Sequence, residues 1–474
     1  MSSLVANGLA TLAARLVGPL LSFAIAIGVA RVCGPEVLGS YAYLLALLAV
    51  FQTAASGGLT GLLTREFAAR PEDTVRYLRS GRTLAAATGT VAAIGYVAVA
   101  RLLARTDNLA ATLLLATTLV PSAWISVHEA YFMATRTHHR LALVAAGENA
   151  LKLGLALLTF RGGGGLAYLC AGVAVSRALA LGVSTAMVAR AGARGGWRPA
   201  PAVEVRKLAV ELAPFALVLV FSMTYFRLDV LLVEALLGPG RTGVYSAAVA
   251  FYTAALVIPD SAMAAVYPRL AARFRESSHS YADATLVAVR LVSAGLVPVS
   301  IGLICLAGPL LRLSYGGRYA DASPALRLLA ASLPIHAANA ALGQALLAGR
   351  LQRAMARMTF LAMVVHGGLT LVLLPRVGIV GAPISLVASS LLFMVGAGWE
   401  FHREVSRLVL TRSTLARLTV VAGPIVVTLL SPAGWTYLSG AAGLAALGLA
   451  APGVLLRGTG VVPWAPAGLR KGPA

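Results

Sequence analysis

The sequence predicts an all-α integral membrane protein of about 14 transmembrane helices, and three observations carry that prediction. Only 12% of the 474 residues are charged while 59% are hydrophobic. That is about half the charged share of a soluble domain, too little to cover a water-facing surface. Apolar runs long enough to cross about 30 Å of hydrocarbon recur along the whole chain. The basic residues punctuate these runs, as they do in membrane loops, instead of gathering on one arm as in a nucleic-acid binder.

The runs occupy residues 10–30, 38–62, 84–104, 109–133, 141–160, 165–188, 208–236, 243–267, 284–307, 323–348, 356–374, 378–401, 415–431 and 435–456. The first is read as a helix and not as a cleaved leader, because the stretch before it is barely charged and further spans follow. No connecting loop is long enough for a catalytic domain; the longest are 64–82 and 189–207. Any activity therefore has to be carried out within the membrane.

Charge sets the expected orientation. The net charge of +22 is almost all arginine, with Lys152, Lys207 and Lys471 the only lysines. One set of alternate loops, with both chain ends, holds 26 basic residues and the other set holds 8. By the positive-inside rule both termini are expected in the cytoplasm of a multi-pass cell-membrane protein, with anionic membrane lipids as neighbours and no nucleic acid as partner. Cys33, Cys170 and Cys305 are scattered through apolar runs, which fits small core residues and neither a disulfide framework nor a metal site. No cofactor is implied. Gly162, Gly163, Gly164 and Gly165 form a flexible connector, since no strand and no phosphate-binding lysine accompany them.

An internal repeat divides the chain. Residues 34–42 read GPEVLGSYA and residues 238–246 read GPGRTGVYS. Gly34, Pro35, Gly39 and Tyr41 correspond to Gly238, Pro239, Gly243 and Tyr245 at a constant offset of 204. Each copy turns the first span of its half into the second. Six spans separate them, so the halves share one orientation: a parallel repeat of the kind from which transporters are built, with the substrate site between halves. The expected units are residues 1–200, residues 201–405, and a tail of two further helices over 406–474. Tyr41 and Tyr245 are expected as anchors at the membrane interface.

Several stretches resemble the Wzx-type oligosaccharide and polysaccharide flippases of the multidrug/oligosaccharidyl-lipid/polysaccharide exporter superfamily. They are VARVCGPEVLGSYAYLLALLAVF, FRLDVLLVEALLGPGRTGVYSAAVAFY, VYPRLAARF and LAGRLQRAMARMTFLAMVVHGGLTLVLLPRVGIVGAPISLVAS, and the likeness runs over roughly residues 10–402. The resemblance implies two six-helix lobes that open alternately to either side. It also implies a cargo of polyprenyl-pyrophosphate-linked oligosaccharide, moved from the cytoplasmic to the outer leaflet alongside polysaccharide assembly proteins. The two last helices would then help shape a groove for the lipid tail.

Charged residues at membrane depth cost roughly 2.5–3.5 kcal/mol each on insertion scales and so face a cavity or a partner. For a diphosphate cargo, guanidinium groups can replace lost hydration through bidentate contacts. Arg15, Arg177, Arg227 and Arg290 are the candidates, two from each half. Arg15 and Arg290 lie near enough to a helix end to snorkel, whereas Arg177 sits near the middle of its span. Glu148 and Lys152 are four apart and can pair on one face; Arg227 and Asp229 are two apart and cannot simply cancel. Coupling to a proton or sodium gradient would use Asp229, Asp260 or Glu129; Asp229 matches a position in the seventh helix that is usually acidic in the resembling family. His336 and His366 read as core histidines. Two other functions compete: an ion-coupled multidrug or small-molecule exporter, which would favour an acidic, aromatic cavity, and a membrane polysaccharide polymerase or glycosyltransferase. The second would need a larger outer loop than 308–322.

Overall fold

The computed structural model describes residues 2–103, 108–191 and 199–405, with side chains from residue 18 onward except at 214 and 265. The expected spans at 415–431 and 435–456, and the side chain of Arg15, lie outside the described residues. Every regular element among the described residues is a helix. That is what a chain surrounded by hydrocarbon requires, because a helix satisfies its own backbone groups where no water can.

The amino-terminal half comprises α1 (Ser2–Ser56), α2 (Leu59–Ala69), α3 (Thr74–Leu103), α4 (Leu109–Ala116), α5 (Leu119–Ala134), α6 (His138–Arg161) and α7 (Leu166–Arg190). The carboxyl-terminal half comprises α8 (Ala202–Leu237), α9 (Pro239–Glu276), α10 (Ser278–Tyr315), α11 (Ser323–Ala348), α12 (Gln352–Val377) and α13 (Gly381–Glu404). Among the described residues, ten stretches are long and apolar enough to cross a membrane. Two of them, Gly18–Ala69 and Gln352–Glu404, have 52 and 53 residues, enough for two crossings of about 20 residues each. The protein is thus a multi-pass, all-helical membrane protein.

Three boundaries depart from the apolar pattern, each for a physical reason. The expected second span ends at 62, but the helical path breaks earlier, at Gly57 and Gly58, where Gly58 takes φ +83°, and resumes as α2. The expected span 109–133 is split at Thr117 and Thr118 into α4 and α5. Pro121 lacks the N–H that would bond the Thr117 carbonyl, and its ring crowds that carbonyl. The threonine hydroxyls turn back instead, Thr117 donating to Leu114 O and Thr118 to Leu115 O, both at 2.6 Å. Finally α3 starts at Thr74 and not near residue 84, ten residues deeper into what reads as a basic loop.

The two repeat copies adopt the same backbone turn. Gly34 has φ 82°, ψ −178° within α1, and Gly238 has φ 81°, ψ 175° between α8 and α9. Positive φ of this kind is open to glycine and strained for other residues, and the proline that follows starts the next helix at its first position. The copies also pack on each other. A Cβ on Gly39 would lie 1.9 Å from the Pro239 carbonyl oxygen, and one on Gly243 would lie 1.9 Å from the Pro35 carbonyl oxygen. α1 and α9 therefore cross backbone to backbone on the arginine-poor face. Around the crossing, Arg31 donates through Nε to Ser314 O at 2.7 Å and also to Leu313 O, and the Tyr319 hydroxyl donates to Ala30 O at 3.2 Å. Tyr41 and Tyr245 are buried, at 8% and 0% exposure, so they are packing residues and not the interface anchors expected of them.

On the arginine-rich face the halves are joined by ion pairs. Arg65 of α2 bonds Glu211 of α8, Arg76 of α3 bonds Glu204 of α8 at 2.9 Å, and the Ser80 hydroxyl donates to Glu204 at 3.0 Å. These partners are largely exposed, so each pair adds at most about 1 kcal/mol. The glycine crossing is the less forgiving contact. Gly39→Ala should destabilise the protein by about 1–3 kcal/mol through overpacking against a carbonyl that cannot move aside. Gly61→Ala, whose Cβ would meet nothing within 4 Å, should leave the thermal midpoint in detergent unchanged or raised. A Gly39→Ala midpoint equal to wild type would show that the crossing yields.

Candidate functional site

The expected site residues form two polar centres within the apolar helices, one in each half. In the amino-terminal half, Glu148 and Lys152 sit four residues apart on α6, on one helix face, and form an ion pair. Arg177 reaches across from α7 to the same Glu148 oxygen at 3.1 Å. Glu129 on α5 lies within electrostatic reach of Arg177 and Glu148. The three-residue cluster holds two cations around one carboxylate, and its Arg177 and Lys152 side chains keep 20% of their surface open. The Arg177 Nε is buried without a hydrogen-bond acceptor. The sequence pattern pairs Glu148 with Lys152 alone; the fold adds Arg177 to them, with the Glu129 carboxylate within electrostatic reach.

In the carboxyl-terminal half, Asp229 of α8 is 6% exposed and doubly bonded. It accepts from the Tyr245 hydroxyl of α9 at 2.6 Å and from its neighbour's backbone N–H, at Val230, at 2.8 Å. Arg227 feels the Asp229 charge while its own Nε is buried without an acceptor. A cavity of about 200 Å³ opens between α8, α9, α11, α12 and α13, with Asp260, His336, Asn339, Gln344, Tyr225 and Phe226 in its wall. Asn339 donates to Ser390 O at 2.9 Å. The Tyr225 hydroxyl lies 3.2 Å from both Ser389 and Ser390. His336 packs edge-on against Phe226, and His366, fully buried, packs edge-on against Tyr225.

The fold therefore gathers some of the expected residues and separates others. Arg177 joins Glu148 and Lys152 beside Glu129. Asp229 is bonded by Tyr245, with Arg227 within electrostatic reach of its charge. Asp260 lines the carboxyl-terminal cavity with His336. Arg290 is half-buried on α10. Among the described residues no group of three His, Cys, Asp or Glu side chains is placed to hold a metal ion.

One centre escaped the sequence pattern altogether. Arg82 belongs, by hydropathy, to the loop 64–82, but α3 begins early and carries it into the bundle. Its Nε and an Nη lie 3.3 and 3.0 Å from Nε2 of His128 on α5, and His128 Nδ1 lies 3.0 Å from the Ser184 hydroxyl of α7. His128 is completely buried. The available signal was an ionisable residue, His128, beside Glu129 in an apolar run.

The fold is shared with solved membrane transporters. The structure aligns with the lipid II flippase MurJ in an inward closed conformation at a TM-score of 0.74 and 13% identity, over 94% of this chain and 97% of that one. It aligns with an inward-facing multidrug resistance MATE family transporter of the MOP superfamily at 0.64 and 13% identity, over 83% and 98%. The eukaryotic MATE transporter AtDTX14 follows at 0.60 and 16% identity, over 88% and 97%. At these identities the likeness establishes the fold. No curated protein matches the sequence significantly. A sequence model of the family described as polysaccharide biosynthesis protein matches residues 29–324, and the chain belongs to that family.

The Asp229–Tyr245 contact yields a stability test. Tyr245→Phe removes a donor from a buried carboxylate and should cost about 1.5–3 kcal/mol. In an Asp229→Asn background the same change should cost markedly less, because the partners share one interaction. Thermal unfolding of the four proteins in one detergent measures the difference; equal costs in both backgrounds would show that the hydroxyl supports something other than Asp229.

Proposed function

We propose that the protein translocates a polyprenyl-pyrophosphate-linked oligosaccharide from the cytoplasmic to the outer leaflet of the cell membrane by alternating access. The observation that carries this reading is the Arg177–Glu148–Lys152 cluster: two cations drawn to one carboxylate, both partly open, within two apolar helices. Such a centre is costly in lipid unless an anion uses it. A diphosphate presents pairs of phosphate oxygens that the planar guanidinium can hold by two hydrogen bonds, offsetting the anion's lost hydration. Membership of the polysaccharide biosynthesis family supports a glycan on that diphosphate. The fold shared with a lipid II flippase supports a lipid as its carrier.

In this reading the arginine-rich face is cytoplasmic, as the loop charges predict. Residues 1–200 and 201–405 act as the two moving lobes, and the repeat turns at Gly34, Pro35, Gly39 and Tyr41 and at Gly238, Pro239, Gly243 and Tyr245 form their outer contact. Arg177 is the principal phosphate contact, with Arg15, Arg227 and Arg290 as further cationic contacts. Asp229, Asp260 and Glu129 are the carboxylates available to couple a proton or sodium gradient.

The carboxyl-terminal cavity favours a second reading. Its wall combines the Asp260 carboxylate with Tyr225, Phe226 and Phe393, the acidic and aromatic character suited to an organic cation. An ion-coupled exporter of cationic small molecules would use that cavity, with the amino-terminal cluster a structural ion pair.

Transport in proteoliposomes separates the two. Wild type should move a labelled polyprenyl-pyrophosphate oligosaccharide to the opposite leaflet, and Arg177→Ala should slow it roughly tenfold or more, since a lost charge-assisted contact is worth about 1.5–3 kcal/mol. Asp260→Asn should leave lipid binding in place. Export of a cationic dye that depends on Asp260 and not on Arg177, with no movement of lipid, would sink the flippase reading.

A further inference from the structure

The Arg82–His128–Ser184 cluster has a defined proton arrangement. A guanidinium donates and cannot accept, so Nε2 of His128, approached by two guanidinium nitrogens of Arg82, must be the acceptor. The ring proton then sits on Nδ1 and points at the Ser184 oxygen 3.0 Å away. Ser184 in turn donates to Leu181 O at 3.0 Å. Three helices thus supply one directed chain, from Arg82 on α3 through His128 on α5 to Ser184 on α7. α3 comes close enough because residue 81 is glycine: a Cβ there would stand 2.8 Å from Leu63 and 3.2 Å from Val127. The histidine and serine are buried, at 0% and 1% exposure, and Arg82 is half-buried. The outcome is an arginine whose guanidinium is held in orientation by a neutral ring.

Its place relative to Arg177 gives that arginine a purpose. Ser184 lies seven residues after Arg177 on α7, which is two helical turns, about 10 Å, along the same face. The step runs toward Arg190 and the arginine-rich face. His128 likewise adjoins Glu129, the residue that senses Arg177 and Glu148. Two cationic centres are therefore stacked in the amino-terminal half along one stripe of α7: Arg177 with Lys152 at mid-depth, and Arg82 one step nearer the arginine-rich face.

We propose that Arg82, held in place by His128 and Ser184, is a second diphosphate contact, which receives the anionic headgroup on its way from the arginine-rich face to Arg177. The proposal rests on the flippase reading and adds to it an entry step and a positioning residue. An anion that leaves water gains a guanidinium contact before it reaches the deeper one, so no stretch of about 10 Å at low dielectric is crossed without a counter-charge. His128 is the positioning residue: it touches Arg82 and not the cargo.

The test is equilibrium binding of a labelled polyprenyl diphosphate without sugar to the purified full chain in nanodiscs, with thermal midpoints recorded for each variant. Arg82→Ala and Arg82→Lys should each weaken binding roughly tenfold, the loss of one bidentate charged contact. His128→Leu should weaken it comparably although Arg82 remains. His128→Gln, whose amide can accept from Arg82 and donate to Ser184, should bind within about threefold of wild type. The double variant Arg82→Ala/His128→Leu should bind no more weakly than Arg82→Ala alone, as expected when one residue acts through the other. If His128→Leu lowers the thermal midpoint and leaves affinity unchanged, the positioning role is overturned. If Arg82→Ala binds like wild type while Arg177→Ala does not, the entry contact falls and the flippase reading stands. If wild type itself fails to bind the diphosphate, both fall.

Discussion

Two proline carbonyls, each seated on a glycine of the opposite repeat copy, set the frame of this molecule. Gly39 meets the Pro239 carbonyl and Gly243 meets the Pro35 carbonyl, so α1 and α9 touch without side chains between them. Small residues at such a crossing are what membrane helices use, because lipid supplies no hydrophobic drive and close van der Waals approach must do the holding. The reciprocity follows from the repeat. When one nine-residue turn occurs twice in parallel halves, bringing one copy onto the other produces the same contact twice. A single tight fit thus fixes the arginine-poor face from both sides. The flanking Arg31 and Tyr319 bonds to backbone carbonyls then close on a junction that is already defined.

The remaining constraint is electrostatic. Each charge carried into the bundle has to find a partner or an opening. Asp229 finds a tyrosine hydroxyl and a backbone N–H, and with both bonds it is fully buried in the sense that matters: its oxygens are satisfied. Glu148 finds two cations. Arg82 finds a histidine ring that accepts from it. The difference between these solutions is chemical: one carboxylate is met by neutral donors, the other by two cations, and the guanidinium by a neutral acceptor.

Much of this was legible in the amino-acid sequence, because hydrophobic length and loop charge act directly on a chain in a bilayer. The apolar runs from 10–30 to 378–401 each find a helix, and the Gly-Pro repeat is visible at a fixed offset before any coordinates. Three kinds of information were hidden. The break at Thr117 comes from a proline four residues on, which a hydropathy window averages away. The burial of Tyr41 and Tyr245 depends on which face of the helix meets the opposite copy. Arg82 was assigned to a loop because arginines around it at 70, 76 and 79 lower the local hydropathy, whereas the helix starts at Thr74 all the same. The pairing of Arg177 with Glu148 joins residues 29 apart on two helices, and no local pattern encodes it.

The repeat is symmetric in backbone and asymmetric in chemistry, and the asymmetry bears on mechanism. Gly34 and Gly238 share one conformation to within a few degrees of φ, yet the residues around the two halves' polar centres do not correspond. One half gathers Arg177 and Lys152 around Glu148; the other carries Asp229 and a cavity with Asp260 and His336. Under the proposed function the cargo anion's principal contact, Arg177, lies in one half, and two of the three carboxylates available to a coupling cation or proton, Asp229 and Asp260, lie in the other. Cargo and coupling ion can each shift the equilibrium between the two arrangements of the halves only by its own difference in affinity for them. The shared crossing at Gly39 and Gly243 is the element through which those two biases would meet.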